Sequence, residues 1–139
     1  MILIDTSVMV NYLRNIETPM TKVVEEICEM DLRIGFSAYT YMELLCGAKN
    51  DREFSSIQES LSQYPIYYLK EKETSYSTVA RMYFELRRNG VTPRNITDLM
   101  IAATAIYHDL YLLHDDRDFD LLAPFFPELK IYPSSYSSN

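Results

Sequence analysis

The sequence is short of the side chains that build soft-metal and nucleophilic sites. It has two cysteines, Cys28 and Cys46, two histidines and no tryptophan. No C-x-x-C spacing and no Cys/His cluster is present, which argues against a zinc site. Both cysteines fall in apolar helical patterns, so we expect small buried side chains in a reducing compartment. A nucleophile formed by Cys46 with His108 or His114 is the alternative, and no local signature supports it.

Long hydrophobic runs are also missing. Every uninterrupted apolar stretch is far shorter than the roughly 20 residues of a membrane helix, and the start lacks the pattern of a secretory signal. The length of 139 residues suits one domain. We therefore expect a soluble cytoplasmic protein with one domain at residues 1–132. The Ser-rich residues 133–139 have little apolar content, and we expect a disordered tail there.

Positive charge is scarce, with 13 Lys and Arg against 20 Asp and Glu and a net charge of -7. Such a chain repels polyanions at long range, so a phosphate-rich substrate would need metal ions or a few placed cations. Arg87, Arg88 and Arg94 form one small basic group, and Lys49 with Arg52 forms another, although basic residues near a helix end also suit its dipole. The charge balance argues against broad electrostatic binding of nucleic acids, and not against a nuclease.

What the chain does contain is an alternation of strand and helix patterns. Short apolar runs predict strands at residues 2–4, 31–36, 66–69, 111–113 and 129–132. Helical patterns lie between them, and the helix at residues 98–107 is apolar nearly all round, which places it in the middle of the domain. We expect Thr6 or Ser7, Ser37 or Thr40, and Thr97 to cap helices. The alternation predicts an α/β fold with a parallel sheet covered on both faces.

Acidic residues interrupt these patterns at particular places. Asp5 ends the first strand at its C-terminal tip, where open α/β sheets carry their ligand sites, although an Asp there also serves as a helix cap. Glu43 fits a capping box that begins at Thr40. If Ser37 is the cap instead, Glu43 is a charge in the second turn amid apolar neighbours and needs a partner.

The other candidate acids follow the same placement. Asp98 begins the apolar helix, where the helix dipole alone favours an acid. Asp115, Asp116, Asp118 and Asp120 follow a strand, and we expect at least two of these four to belong to a solvated turn. All of the candidate acids therefore lie at strand ends or adjoining helix starts and face one rim of the sheet.

Gathering carboxylates on one rim is unfavourable. Two carboxylates about 4 Å apart repel each other by roughly 4 kcal/mol at an effective dielectric near 20. Either some of them bind protons or a divalent cation lies between them. An oxygen donor set with no accompanying His/Cys set favours Mg²⁺ or Mn²⁺ over Zn²⁺.

Four motifs occur in a specific order along residues 1 to 132. They are Ile4-Asp5-Thr6-Ser7, residues 37–47 around Glu43, residues 98–105 that begin with Asp98, and Asp116-Arg117-Asp118-Phe119. In order and spacing they resemble the PIN-domain family, and within it the VapC-type ribonuclease toxins of bacterial toxin–antitoxin pairs. The resemblance implies a three-layer α/β/α fold with a central parallel sheet of about five strands. It also implies a metal-dependent endoribonuclease.

The resemblance further implies site residues, position by position. The implied catalytic and metal-binding acids are Asp5, Glu43, Asp98 and Asp116. Asp118 is an implied assisting acid, and Thr6 or Ser7 would orient Asp5. His114 stands where the family usually has Thr or Ser, so its imidazole would bond a neighbouring acid, ligate metal, mark altered activity or simply end a strand.

The activity that the resemblance implies is hydrolysis of RNA phosphodiester bonds with Mg²⁺, or alternatively Mn²⁺. Arg87, Arg94, Arg117 and Lys49 are candidates to hold flanking phosphates. The implied partners are RNA, a second copy of the chain, and an antitoxin. We expect the antitoxin to place an amphipathic helix or strand in an apolar groove and a basic side chain in the acidic pocket.

Other functions remain as alternatives. A phosphatase of the haloacid dehalogenase type needs a second Asp two residues after Asp5, where this chain has Ser7. A receiver-like signalling domain needs an early acidic pair and a late Lys that we do not find. A catalytically silent PIN-like module that binds RNA or protein is the remaining alternative, and cleavage of RNA with Mg²⁺ but not with EDTA separates it from the enzyme.

Overall fold

The computed structural model describes residues 1–70 and 72–132, so the tail expected at residues 133–139 lies outside the described residues. The strands are β1 Ile2–Ile4, β2 Ile34–Ser37, β3 Ile66–Tyr67, β4 Tyr111–Leu113 and β5 Lys130–Ile131. The helices are α1 Thr6–Leu13, α2 Pro19–Glu29, α3 Ala38–Cys46, α4 Asp51–Leu61, α5 Lys72–Arg88, α6 Ile96–Tyr107 and α7 Arg117–Leu122. A 3₁₀ turn at Ala123–Phe125 follows α7.

The five strands form one parallel sheet in the order β3-β2-β1-β4-β5. The central strand β1 pairs with β2 on one side and with β4 on the other, and Ile2 faces both Ile34 and Tyr111. The chain therefore moves outward to one edge through β2 and β3, and then crosses to the other side of β1. Such a change of direction opens a crevice at the carboxyl ends of β1 and β4.

The sheet separates two hydrophobic cores. Leu3 and Leu112 project into the core that α5 and α6 cover, while Ile4 and Leu113 project into the core under α1 and α2. Successive residues of a strand point to opposite faces, so these short, fully buried runs serve both layers. The expected three-layer α/β/α fold is confirmed. The expected central position of α6 is also correct, since its buried residues run from Asp98 to Ala105 except for Met100.

The expectation of buried cysteines is wrong. Cys28 and Cys46 are both exposed. Helix α2 buries Val24 and Ile27, whereas Cys28, four residues after Val24 and near the end of the helix, is left exposed. Helix α3 buries Thr40 and Leu44, which leaves Cys46 beyond the contact face. Both helices are amphipathic, and the choice of the buried face rests on what packs against them.

One expected helix start and one loop also differ from the sequence interpretation. Asn95, and not Thr97, caps α6, whereas α1 is capped by Asp5, which was the alternative to Thr6 or Ser7. Residues after β4 form the short helix α7, which we did not expect because its acids suggested a loop. Its Phe119 and Leu122, one turn apart, are buried. None of the helices in the described ranges has the combined length and apolar content needed to cross a bilayer.

Candidate active site

An acidic pocket of about 360 Å³ opens at the carboxyl edge of the sheet beside β1. We call it the acidic pocket and define it by the residues that line it: Asp5, Thr6, Ser7, Glu43, Arg94, Asn95, Asp98, Asp116 and Asp118. Its acids come from the β1–α1 junction, α3, α6 and the start of α7. The structure thus brings together all five acids singled out as catalytic or assisting. Asp115 and Asp120 are exposed, as expected for solvated acids.

Asp5 is 3% exposed, and Ser7 holds its carboxylate in place. Its Oδ2 accepts hydrogen bonds from the backbone N–H of Ser7 at 3.1 Å and from Ser7 Oγ at 2.6 Å. Ser7 Oγ in turn accepts from the backbone N–H of Asp115 at 3.1 Å, which ties the β1 and β4 ends together. Burial raises the pKa of Asp5 to about 6 against the opposing effect of the Ser7 hydrogen bonds. Asp5 is therefore both a helix cap and a preorganised pocket acid.

Glu43 has the partner that the sequence interpretation required. Ser37 is the cap of α3, and its Oγ accepts from the backbone N–H of Thr40 at 3.1 Å. Glu43 consequently lies in the second turn and not in a capping box. Thr6 Oγ1 donates to Glu43 Oε1 at 2.9 Å and lies 3.0 Å from Thr40 Oγ1. Thr6 thus orients Glu43, whereas Ser7 orients Asp5.

Asp98 lies in the first turn of α6 and is 9% exposed. Its pKa is raised to about 7, chiefly by burial and then by the charges of Asp5, Asp116, Asp118 and Glu43. Burial and neighbouring negative charge both disfavour the ionised form of a carboxyl group. Asp98 therefore holds its proton close to neutral pH unless positive charge enters the pocket.

Asp116 and Asp118 form a tight group with Asp98. One carboxylate oxygen from each of the three lies within 4.8 Å of the others. Asp116 caps α7 through Oδ1, which accepts from the backbone N–H of Asp118 at 2.9 Å. Asp118, expected only to assist, is thus a full member of the densest acidic cluster. The sequence signal for Asp118 was its position two residues after Asp116. The unexpected helix α7 turns Asp118 toward the pocket.

His114 does not line the acidic pocket. Its Nδ1 accepts from the backbone N–H of Asp116 at 3.3 Å, and its ring packs against Phe119 at 5.0 Å between centroids. Burial lowers the pKa of His114. The neutral ring then carries its proton on Nε2, which lies 3.5 Å from Asp120. These contacts indicate support of the turn that carries Asp116, which is not among the four roles expected for His114.

Arg94 is the basic residue that lines the acidic pocket within the described part of the chain. Arg87 lies 5.9 Å from the ring centre of Tyr83 on α5, and neither Arg117 nor Lys49 lines the pocket. Asn95, which sequence reasoning missed, lines the pocket and caps α6 through a 2.9 Å bond to the N–H of Thr97. An Asn placed two residues before Thr97 was the available signal.

The pocket presents only oxygen donors from its five acids, and burial penalises the ionisation of two of them, Asp5 and Asp98. Carboxylate oxygens are the ligands that Mg²⁺ and Mn²⁺ prefer. The cluster of Asp98, Asp116 and Asp118 with neighbouring Asp5 and Glu43 therefore suits a hard divalent cation. The donor set offers no sulfur or imidazole for Zn²⁺.

Comparison with known proteins agrees with this geometry. The family model of the PIN domain matches residues 2–123. Ribonuclease VapC11 of Mycobacterium tuberculosis is 34% identical over 124 residues, which cover 88% of this chain and 92% of that protein. Ribonuclease VapC51 of the same species is 28% identical over 122 residues, covering 87% of this chain and 84% of the relative.

Solved structures share the fold at lower sequence identity. VapBC2 from Rickettsia felis, bound to a DNA fragment from its promoter, superposes with a TM-score of 0.73 at 21% identity and covers 95% of this chain and 98% of that one. VapBC-1 from nontypeable Haemophilus influenzae gives a TM-score of 0.72 at 20% identity, covering 95% of this chain and 97% of the other. At such identities the likeness concerns the fold.

Proposed function

The chain belongs to the PIN-domain family, and from this membership and the geometry of the acidic pocket we propose that it is a metal-dependent endoribonuclease acting as the toxin of a toxin–antitoxin pair. One observation carries the proposal. Five acids from four separate segments of the sequence converge on one pocket at the carboxyl edge of the sheet. Relatives that align with most of the chain are named ribonucleases. The acids are the residues to which we assign catalysis and metal binding.

The metal that suits these residues is Mg²⁺, with Mn²⁺ as an alternative. Asp5, Glu43, Asp98 and Asp116 would hold it, with Asp118 assisting. When bound, the cation supplies Lewis-acid polarisation of the phosphoryl group and a source of hydroxide at neutral pH. The raised pKa values of Asp5 and Asp98 support this assignment, because their ionisation is unfavourable until positive charge compensates it.

The remaining pocket residues keep the acids in place. Ser7 and Thr6 hold Asp5 and Glu43 through hydrogen bonds of 2.6 and 2.9 Å. Residues that orient metal ligands in this way reduce the reorganisation needed when charge enters the site. The carboxyl of Asp98 would lose its proton if it ligated the cation, so we expect cation binding near neutral pH to release protons.

The antitoxin partner fits a second feature of the molecule. A groove of about 180 Å³ lies beside α1, α3 and α4, and we call it the α1–α4 groove. It is lined by Val10, Leu13, Arg14, Leu44, Glu53, Ser56, Ile57 and Ser60. Val10 follows Ser7 by one turn, and Leu44 follows Glu43 directly. An amphipathic segment in this groove would therefore be near enough to direct a basic side chain into the acidic pocket.

The proposal extends to the oligomeric state and the cellular compartment. We expect a homodimer in the cytoplasm, as the family resemblance implies. Light scattering coupled to size exclusion would measure the mass of the purified chain, and a monomeric mass at micromolar concentration would contradict the dimer.

A cleavage assay tests the proposed function. Purified chain is incubated with a mixed RNA pool in Mg²⁺ or EDTA, and the cut ends are sequenced. Asp98→Asn and Asp5→Asn should each reduce cleavage by about a hundredfold or more, because they remove a negative oxygen from the cation site. Asp120→Asn is the matched control, since its exposed carboxylate lies outside the acidic pocket.

Each result of this assay has a defined meaning. Full activity in both pocket variants would overturn the site assignment. RNA binding without cleavage by the unaltered chain, under Mg²⁺ and Mn²⁺ alike, would favour the silent binding module instead.

A further inference from the structure

The loop between α5 and α6 places Arg94 over the acidic pocket, against Asp118. Arg94 Nη2 donates to Asp118 Oδ1 at 2.9 Å, and Arg94 Nε lies 3.3 Å from both Oδ1 and Oδ2. The Arg94 side chain is 79% exposed, whereas that of Asp118 is 13% exposed. A freely accessible guanidinium thus covers a largely buried carboxylate and engages both of its oxygens.

The carboxylate that Arg94 covers belongs to the densest acidic cluster. Asp118 offers an oxygen within 4.8 Å of oxygens from Asp98 and Asp116. The same oxygens therefore face two competing positive charges, the guanidinium of this chain and a divalent cation. A unit positive charge about 5 Å from a divalent cation weakens its binding by roughly tenfold, even at the dielectric of bulk water. Occupation of the cluster and the present position of Arg94 oppose each other.

Arg94 is free to leave this position. The hydrogen bonds that it makes within the described residues all go to Asp118, and most of its surface is in solvent. The flat guanidinium fork that matches a carboxylate also matches a phosphate. In a chain with a net charge of -7, it is the cation lining the pocket where a substrate phosphate would lie.

We propose that Arg94 is a positioning residue that competes with a divalent cation for Asp118 and transfers to a phosphate of the RNA once the cation is bound. The inference rests on the proposed function for its second half, the RNA contact. Its first half, competition with a divalent cation, concerns only residues of this chain. In the simpler alternative the Arg94–Asp118 pair only fastens the α5–α6 loop to α7.

Metal titration distinguishes these two roles. Mn²⁺ alone is added to the purified full-length chain, free of antitoxin, and bound metal is measured by electron paramagnetic resonance and calorimetry. Arg94→Ala should bind Mn²⁺ about tenfold more tightly, because a competing positive charge is removed. Arg94→Lys keeps the charge and should stay within about threefold of the unaltered chain. In the Asp118→Asn background, Arg94→Ala should have a much smaller effect, because the pair is already broken.

The effect of Arg94→Ala on RNA binding should be opposite to its effect on Mn²⁺ binding. At saturating metal, Arg94→Ala should raise KM for RNA by about tenfold, the loss expected for one charge-assisted contact, with a smaller change in kcat. The KM of Arg94→Lys should lie between that of the unaltered chain and that of Arg94→Ala. A fastening role would instead weaken Mn²⁺ binding and RNA cleavage together, through a disordered loop.

The outcomes separate this inference from the proposed function. Mn²⁺ affinity that is unchanged or lower in Arg94→Ala, with a folded chain by circular dichroism, would overturn the competition. An unchanged KM in Arg94→Ala would overturn the transfer to phosphate. Absence of RNA cleavage by the unaltered chain would contradict the proposed function, while a tighter Mn²⁺ complex in Arg94→Ala would still support the competition.

Discussion

At the scale of single residues, two carboxyl groups of the acidic pocket, those of Asp98 and Asp5, are unfavourable to ionise. Burial and neighbouring charges raise the pKa of Asp98 to about 7, and burial raises that of Asp5 to about 6. An aspartate in the unfolded chain ionises near pH 4. Between that pH and the raised pKa, the unfolded chain releases protons that the folded protein retains, so ionisation favours unfolding. The acids that suit a cation site therefore reduce the stability of the metal-free protein.

This cost has a defined pH dependence. Below about pH 4 the carboxyls are protonated in both states and contribute nothing, and the cost grows up to about pH 7 and then levels off. Asp98→Asn should raise the free energy of unfolding of metal-free protein by about 1–3 kcal/mol at pH 8 and by little at pH 4. Urea unfolding in EDTA at the two pH values measures this, with Asp120→Asn as the exposed control. An equal effect of Asp98→Asn at both pH values would contradict the electrostatic explanation.

At the scale of elements, the pairing of β2 with β3 controls the start of α3. Gly35 lies in β2, and a Cβ there would meet Tyr67 Cε2 at 2.8 Å and the backbone oxygen of Pro65 at 2.9 Å. Two residues later Ser37 caps α3 and thereby orients the helix that carries Glu43. The close approach of the two strands therefore supports the geometry of the acidic pocket from outside it.

A pair of glycine substitutions tests this support. Gly35→Ala should lower the free energy of unfolding by about 1–3 kcal/mol, since the backbone oxygen that it meets belongs to the paired segment. Gly47→Ala is the matched control, because Gly47 has φ -77° and the nearest atom to an added Cβ is Leu44 O at 3.4 Å. Its effect should stay within about 0.5 kcal/mol. Equal denaturation midpoints for the two variants would contradict the strand-contact explanation.

At the scale of the whole molecule, one pair of helices connects two surfaces. Helix α1 contributes Thr6 and Ser7 to the acidic pocket and Val10 to the α1–α4 groove, and α3 contributes Glu43 and Leu44 in the same way. A partner that lies in the groove is thus directed toward the pocket by rigid helices. Inhibition would require no change of fold, only occupation of neighbouring surfaces.

Separation of the two surfaces by mutation is the corresponding prediction. Val10→Asp should weaken binding of the cognate antitoxin by at least about tenfold, because it replaces an apolar contact with a carboxylate that binding would desolvate. RNA cleavage by the free chain should persist, since Val10 does not line the acidic pocket. Calorimetry with the antitoxin and the RNA assay measure the two effects. Tyr76→Asp, at a position 60% exposed on α5, is the control, and equal loss of antitoxin binding in both variants would contradict the groove assignment.

Local patterns were sufficient for much of the architecture. The buried runs at β1 and β4, the apolar helix α6 and the acids at their ends are properties of neighbouring residues. The alternation of strands and helices predicted the parallel arrangement. Because the carboxyl ends of parallel strands lie at one edge of the sheet, this arrangement predicted that Asp5, Glu43, Asp98 and Asp116 would meet. The catalytic role of these acids stays a prediction for the assays above.

What the sequence by itself determined about this protein was the kind and order of its elements, because strand and helix periodicity are local. Tertiary structure alone decided how far the buried faces of α2 and α3 extend, and so left Cys28 and Cys46 exposed. It also decided that α7 forms on Phe119 and Leu122, and that Arg94 reaches Asp118 across 24 residues. Amphipathic faces and ion pairs each have several partners of similar energy, and the packed neighbours select among them.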